Sequence, residues 1–193
     1  ELTRRGTVRA TLKGRLNSPD RAVSAHLDTI GASVREIKDN GRLCLAPIGC
    51  WSSRFAEGSR VSLFTDNGVL RGSVLPLLAS GHAFNTEVDS LPVSWEHIEL
   101  RLDVLADSRA EVEALGVRIG DVVAFDPLPE FSESGHLSAR HLDDKAGVAA
   151  LLTALKIVVD SGIEPPIDCH PLFTITEEIG SGAAAALPWD VSE

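Results

Sequence analysis

The stretch DDKAGVAALLTALKIVVDSGIEPPIDCHPLFTITEE, residues 143–178, decides the fold. From Asp143 to Asp160 the apolar residues Val148, Leu151, Leu152, Leu155 and Val159 recur at helical spacing, and Ser161-Gly162 closes the run. After a Pro-containing connection, His170 to Ile175 reads as a buried strand that ends on Thr176-Glu177-Glu178. Upstream, Thr7 to Leu12 alternates as a half-buried strand, and a polar turn follows around Asn17-Ser18-Pro19-Asp20. Ala22-Val23-Ser24-Ala25 is then a short buried strand ending on His26-Leu27-Asp28. Strand, helix, strand in this order predicts an α/β unit with a parallel sheet.

Between these pieces, from about Ala32 to Phe125, the texture is different. Short β-like runs (Val61 to Thr65, Val69 to Leu75, His97 to Val104) are punctuated by Asp39-Asn40-Gly41, Asp66-Asn67-Gly68 and Gly81. One helical stretch near Arg109 to Leu115 ends at Gly116. Closely spaced strands of this kind predict a small barrel or sandwich inserted into the α/β unit. The expected division is 1–31 and 126–193 for the α/β unit and 32–125 for the insertion.

Composition narrows the function. Hydrophobic residues are 44% of the 193, enough for a packed core, and 28 acidic against 18 basic residues leave a net charge of −10. That balance argues against a nucleic-acid partner, and no Lys/Arg-lined apolar face or long apolar run suggests a membrane. Cys44, Cys50 and Cys169 are odd in number and widely spaced, which fits a reducing compartment, and the cytoplasm is the expected location. The chain has neither Met nor Tyr, and Ala183 to Leu187 reads as the start of a helix with six residues after it. The expectation is a piece of a longer protein.

Three clusters can carry chemistry. His26-x-Asp28 lies at a strand end, where open α/β sheets bind ligands. The His can offer one ring nitrogen to a metal while the carboxylate fixes the other. Asp143-Asp144 opens a helix, where only one of two adjacent carboxylates can cap. Glu177-Glu178 follows a buried strand, and adjacent side chains there diverge, so one can ligate while the other acts as a base. Each has an ordinary alternative: a satisfied half-buried His, a helix cap, a solvated acidic loop. Together, imidazole and carboxylate at the sheet's carboxyl edge suit zinc, cobalt or manganese.

These residues resemble a known family. His26-Leu27-Asp28-x-Ile30-Gly31, Leu142-Asp143-Asp144-Lys145-x-Gly147 and Thr176-Glu177-Glu178-x-Gly180 are similar to the motifs of metallopeptidase family 42, the glutamyl aminopeptidase, deblocking aminopeptidase and "cellulase M" group. Leu45 to Gly49 and Gly120 to Val123 extend the resemblance over nearly the whole chain. Arg140 to Ala149 and Ser80 to Asn85 look like a bacterial subgroup encoded with synthesis of the osmolyte N-acetylglutaminylglutamine amide.

The resemblance implies a zinc-peptidase α/β sheet domain with an inserted β-barrel dimerisation domain. It implies a co-catalytic aminopeptidase holding two divalent metal ions and acting on short peptides. His26 would ligate one ion with Asp28 orienting it, Asp143 would bridge both, and the Asp143–Asp144 peptide would be cis. Glu178 would ligate the second ion and Glu177 would be the general base. The family's remaining Asp and His ligands have no match among Ile179 to Glu193, where Asp190 arrives too early. Homo-oligomers from dimers to dodecamers are implied, with His82 either near a neighbour's site or an ordinary loop residue. Two other readings are a deacylase or amidohydrolase of a modified dipeptide osmolyte, and a catalytically incomplete scaffold or dimerisation module.

Overall fold

The computed structural model describes residues 1–184, 186–187 and 191–192. In chain order it forms β1 (Val8–Arg9), β2 (Leu16–His26), β3 (Gly31–Ile37), β4 (Leu43–Ile48), β5 (Arg60–Thr65) and β6 (Gly68–Pro76). There follow α1 (Gly81–Phe84), α2 (Glu87–Ser90), β7 (Ile98–Leu102), α3 (Arg109–Ala114), β8 (Val122–Phe125), β9 (Glu130–Phe131) and β10 (Leu137–Ser138). The chain then runs through α4 (Leu142–Asp160) to β11 (Ile167–Thr174). Residues divide into two compact units, Glu1–Thr29 with His141–Glu193, and Ile30–Arg140.

In the first unit the strands lie in the order β1-β11-β2, with β11 antiparallel to β1 and parallel to β2. The parallel register sets Thr174 beside His26, so the carboxyl ends of β2 and β11 finish together. The supposed turn at Asn17–Asp20 lies inside β2. The register jumps from Ile167↔Leu16 to Cys169↔Arg21, so the segment bulges out of the ladder around Pro19, which has no N–H to pair and follows a cis bond.

Two further sequence expectations need correction. The apolar stripe of α4 was expected along Val148, Leu151, Leu152, Leu155 and Val159. Leu151, Leu155 and Val158 instead share an apolar groove with Val23 and Ile167 of the sheet, whereas Leu152 and Val159 are exposed. A moment built from so many apolar residues does not single out one face. Ala183, Ala184 and Ala186 form turn rather than helix, with Ala186 buried.

The second unit contains a closed barrel, β3-β4-β7-β6-β5-β8, antiparallel throughout. Alternation along its strands sends Val34, Leu43, Leu45, Val61, Leu63, Val74, Leu100 and Val123 into a sealed interior. Trp51 caps this core edge-to-face with Trp95 (4.8 Å) and Phe125 (4.9 Å). On the outer side of β7, Glu99 is only 1% exposed. Its carboxylate accepts from Lys38 (3.0 Å), Arg42 (2.7 Å) and Arg101 (3.0 Å).

Candidate metal centre

His26 is the last residue of β2 and is 8% exposed. The ladder holds its backbone, and Leu27 N–H continues that ladder by donating to the Thr174 carbonyl (2.7 Å). The imidazole Nδ1 lies 3.0 Å from the Asp28 carbonyl oxygen, which orients the ring and leaves Nε2 facing the sheet's carboxyl edge. The Asp28 carboxylate, expected to fix Nδ1, stands 3.6 Å away. Its Oδ2 accepts the Glu178 backbone N–H (3.0 Å), while Oδ1 is buried with no hydrogen-bond partner among the described residues. Asp28 therefore ties the end of β2 to the loop after β11.

The Asp143–Asp144 pair divides its work. Asp144 Oδ1 accepts the Gly147 N–H (3.1 Å), and Oδ2 accepts the His26 N–H (3.2 Å). Asp144 thus caps α4 and clamps the strand end with the same carboxylate. Neither Asp143 (φ −82°, ψ 111°) nor Asp144 (φ −116°, ψ 35°) has helical dihedrals, so the regular helix begins at Lys145, and the peptide between the two is cis. Gly147 leaves room for this contact, since a Cβ there would fall 2.0 Å from Asp144 Oδ1 and the carboxylate would have to move. Lys145 Nζ donates to the Leu27 carbonyl and adds a third tie.

Relieved of capping, Asp143 turns its Oδ1 to His26 Nε2 at 2.9 Å, with its side chain 87% exposed. Glu177 brings Oε2 to 3.7 Å from the same nitrogen. The loop carrying it is fixed by Gly180 N–H to the Glu177 carbonyl (2.8 Å) and by Ser181 and Gly182 N–H to the Thr176 carbonyl (2.9 and 3.1 Å). Burial disfavours the protonated ring, but the Asp28 carbonyl, the Asp143 carboxylate and the Asp28 and Glu177 charges outweigh it. His26 therefore titrates above the usual histidine range.

The structure thus brings His26, Asp143 and Glu177 together and joins Asp28 to them. Glu178 takes part through its backbone N–H. Asp190 lies outside the described residues, and His82 is exposed in α1 of the other unit. Among the described residues, no three His, Cys, Asp or Glu side chains are arranged to enclose a cation. The donors nevertheless suit a divalent ion: an imidazole nitrogen and a carboxylate oxygen converge, and Asp28 Oδ1 is buried and unsatisfied. They fit part of a coordination sphere.

Sequence reasoning passed over Asp144 as the clamp, although the D-D-K-x-G spacing, with Gly three residues after an Asp, was its signal. It also missed a buried relay on the sheet, in which Asp20 Oδ2 meets His170 Nε2 (2.9 Å) and His170 Nδ1 meets Thr11 Oγ1 (3.1 Å). Asp20 lies in the polar Asn17-Ser18-Pro19-Asp20 stretch, whose turn-like composition conceals a strand position.

Comparison with known proteins places this arrangement. The family model for M42 glutamyl aminopeptidase matches residues 6–193. YhfE of Bacillus subtilis is 38% identical over 190 residues, covering 98% of this chain and 55% of that protein. The TET aminopeptidase of a marine sediment Thaumarchaeota archaeon superposes with a TM-score of 0.81 at 27% identity, over 92% of this chain and 49% of that one. The Pyrococcus horikoshii TET1 peptidase, which can assemble into a tetrahedron or a large octahedral shell, gives 0.78 at 28% identity over 95% and 53%. The chain spans about half the length of the relatives it matches. With all three motifs on the carboxyl edge of one sheet and the barrel inserted between them, the chain belongs to the M42 glutamyl aminopeptidase family.

Proposed function

We propose that the protein carrying this chain is a two-metal aminopeptidase that removes N-terminal residues from short peptides. The observation that carries this reading is the convergence of Asp143 Oδ1 and Glu177 Oε2 on His26 Nε2. His26, Asp143 and Glu178 would hold divalent cations, zinc, cobalt or manganese, with Asp28 setting the orientation of His26 and of the Glu178 loop. When bound, such ions polarise the scissile carbonyl and acidify the attacking water.

Glu177 is the general base. Its side chain is 55% exposed, so it is open to substrate and solvent, and its carboxylate can take a proton from water and pass it to the leaving amine nitrogen. Burial of His26 excludes water from one side of the site. Donation from His26 Nδ1 to the Asp28 carbonyl commits that nitrogen, leaving Nε2 for coordination.

The barrel is the oligomerisation module in this reading. Phe64 pairs with Val69 and with Val122 across β6, β5 and β8, and all three are exposed, giving an apolar outer strip for a second subunit. The assemblies formed by the TET1 peptidase support a homo-oligomer. The described cysteines are unpaired, which accords with a cytoplasmic location, and no described helix is long and apolar enough to cross a membrane.

Glu177→Gln in the complete protein tests the assignment. Metal content by elemental analysis should stay near the native value while turnover of a free-amino peptide falls by about 10²–10⁴-fold, the contribution of a positioned base. Normal turnover in that variant would remove Glu177 from the role.

A further inference from the structure

The turn that opens the chain presents two arginines beside the proposed catalytic loop. Thr3 N–H donates to the Thr7 carbonyl (2.9 Å), Gly6 N–H to the Thr3 carbonyl (3.0 Å), and Thr7 N–H to Thr3 Oγ1 (3.1 Å). Gly6 adopts φ +85° and packs where a Cβ would lie 2.5 Å from Ile175 Cδ1, so the turn is pressed against the end of β11. Because β1 runs antiparallel to β11, with Val8 opposite Phe173, this turn sits at the strand end from which Thr176 and Glu177 emerge.

A cavity of about 230 Å³ opens there, lined by Thr3, Arg4, Arg5 and Thr7 of the turn and by Thr176, Gly182 and Ala186 from after β11. Arg4 and Arg5 are both exposed, and neither makes a hydrogen bond or ion pair among the described residues. Elsewhere the chain pairs its arginines readily: Arg9 with Glu1, Arg71 with Asp126, Arg109 with Asp39 and Arg118 with Asp66. In a chain with net charge −10, two adjacent guanidiniums and three hydroxyls line one cavity with no carboxylate among its described lining residues, and the guanidiniums are donors whose charge no described side chain meets. A planar carboxylate matches a guanidinium fork.

We propose that this cavity binds the C-terminal carboxylate of a short peptide substrate, with Arg4 and Arg5 as its specificity residues. The inference rests on the aminopeptidase reading above. Thr176 lines the cavity and Glu177 is the next residue, about 3.8 Å away along the chain. A carboxylate held there therefore stands only a few peptide units from the base. Each residue of an extended peptide spans about 3.3–3.6 Å, so the substrates favoured are a few residues long and a folded protein is excluded.

The test uses the complete metal-loaded protein and three forms of Leu-Ala-Ala: the free acid, its C-terminal amide, and an amide in which the last residue is Asp. The free acid should exceed the plain amide in kcat/KM by about tenfold, the scale of one charge-assisted contact. In the Arg4→Gln/Arg5→Gln double variant that ratio should fall to about one, while Arg4→Lys/Arg5→Lys retains part of it. An unchanged ratio in the Gln variant overturns the proposal. So does an Asp-containing amide that matches the free acid, since the pocket would then read a side chain.

Calorimetric titration with tri-alanine and its amide, done in the Glu177→Gln background, gives a readout independent of turnover. With Arg4 and Arg5 intact the acid should bind about tenfold tighter than the amide, and with both replaced by Gln the two should bind equally. If no peptide is cleaved, the aminopeptidase reading fails, yet this binding difference still decides the cavity.

Discussion

Replacing Glu99 by Gln should destabilise the barrel markedly and in a pH-dependent way. Glu99 is 1% exposed and is, among the described residues, the carboxylate on which Lys38, Arg42 and Arg101 all converge. Removing one partner of a buried ion cluster generally costs about 3–5 kcal/mol. Here the lower end applies, because the Lys38, Arg42 and Arg101 side chains are 27%, 41% and 34% exposed and can rehydrate. A loss of about 3 kcal/mol lowers the midpoint by about 6–12 °C for a chain of this size.

Burial alone would push the Glu99 carboxyl up, but the three cations outweigh it and hold it below the usual carboxylate range. A carboxyl whose pKa is lower in the folded state stabilises fully above its unfolded pKa, about 4.3, and loses that contribution as pH falls through the folded value. The gap between native protein and Glu99→Gln should therefore be full at pH 7, begin to shrink below the unfolded value of about 4.3, and close as pH falls through the lower folded value. Urea unfolding followed by tryptophan fluorescence reports on the barrel, where Trp51 and Trp95 lie against each other. A gap below about 1 kcal/mol at pH 7, or one that persists unchanged at pH 3, would refute the electrostatic account.

Two further outcomes follow from packing and exposure. Gly72→Ala places a Cβ 2.6 Å from the Arg101 carbonyl oxygen and 2.7 Å from Leu100 Cδ1. It should cost about 1–3 kcal/mol of overpacking strain, read as a lower thermal midpoint; a midpoint equal to the native one would show that β6 and β7 can separate freely. Of the three thiols, Cys50 is exposed, Cys44 is buried, and burial pushes the half-buried Cys169 thiol up. A disulfide reagent at neutral pH should modify one thiol quickly, and Cys50→Ser should abolish that phase; a fast phase surviving in Cys50→Ser would contradict the assignment.

The alternation of Val61, Leu63, Val74 and Leu100 and the turn signals between them made the insertion's β character legible. The same local rules located the carboxyl ends of β2 and β11, and hence His26 and Glu177. Long-range consequences were not legible. Nothing near Asn17–Asp20 indicates that its opposite number is Ile167–Cys169, so a bulge reads as a turn. The face α4 presents is settled by the sheet it meets, which is why Val158 lies in the groove and Val159 outside it. Glu99 follows the alternation rule and faces outward, yet its burial depends on Lys38 and Arg42 arriving from the two ends of the turn that joins β3 to β4. The division of Asp143 and Asp144 required knowing that the His26 N–H lies within reach of the second carboxylate.

The interleaving of the two units also bears on the order of assembly. β2 and β11 are partners in one sheet, yet the whole of Ile30–Arg140 is translated between them. All the strands of the barrel belong to that uninterrupted segment, so they have left the ribosome before β11 is made. Antiparallel pairing of Ala32 with Val123 brings the start of β3 and the end of β8 to the same end of the barrel. Once closed, the barrel draws the two ends of that segment together, and β11 meets β2 with part of the loop-closure entropy already spent.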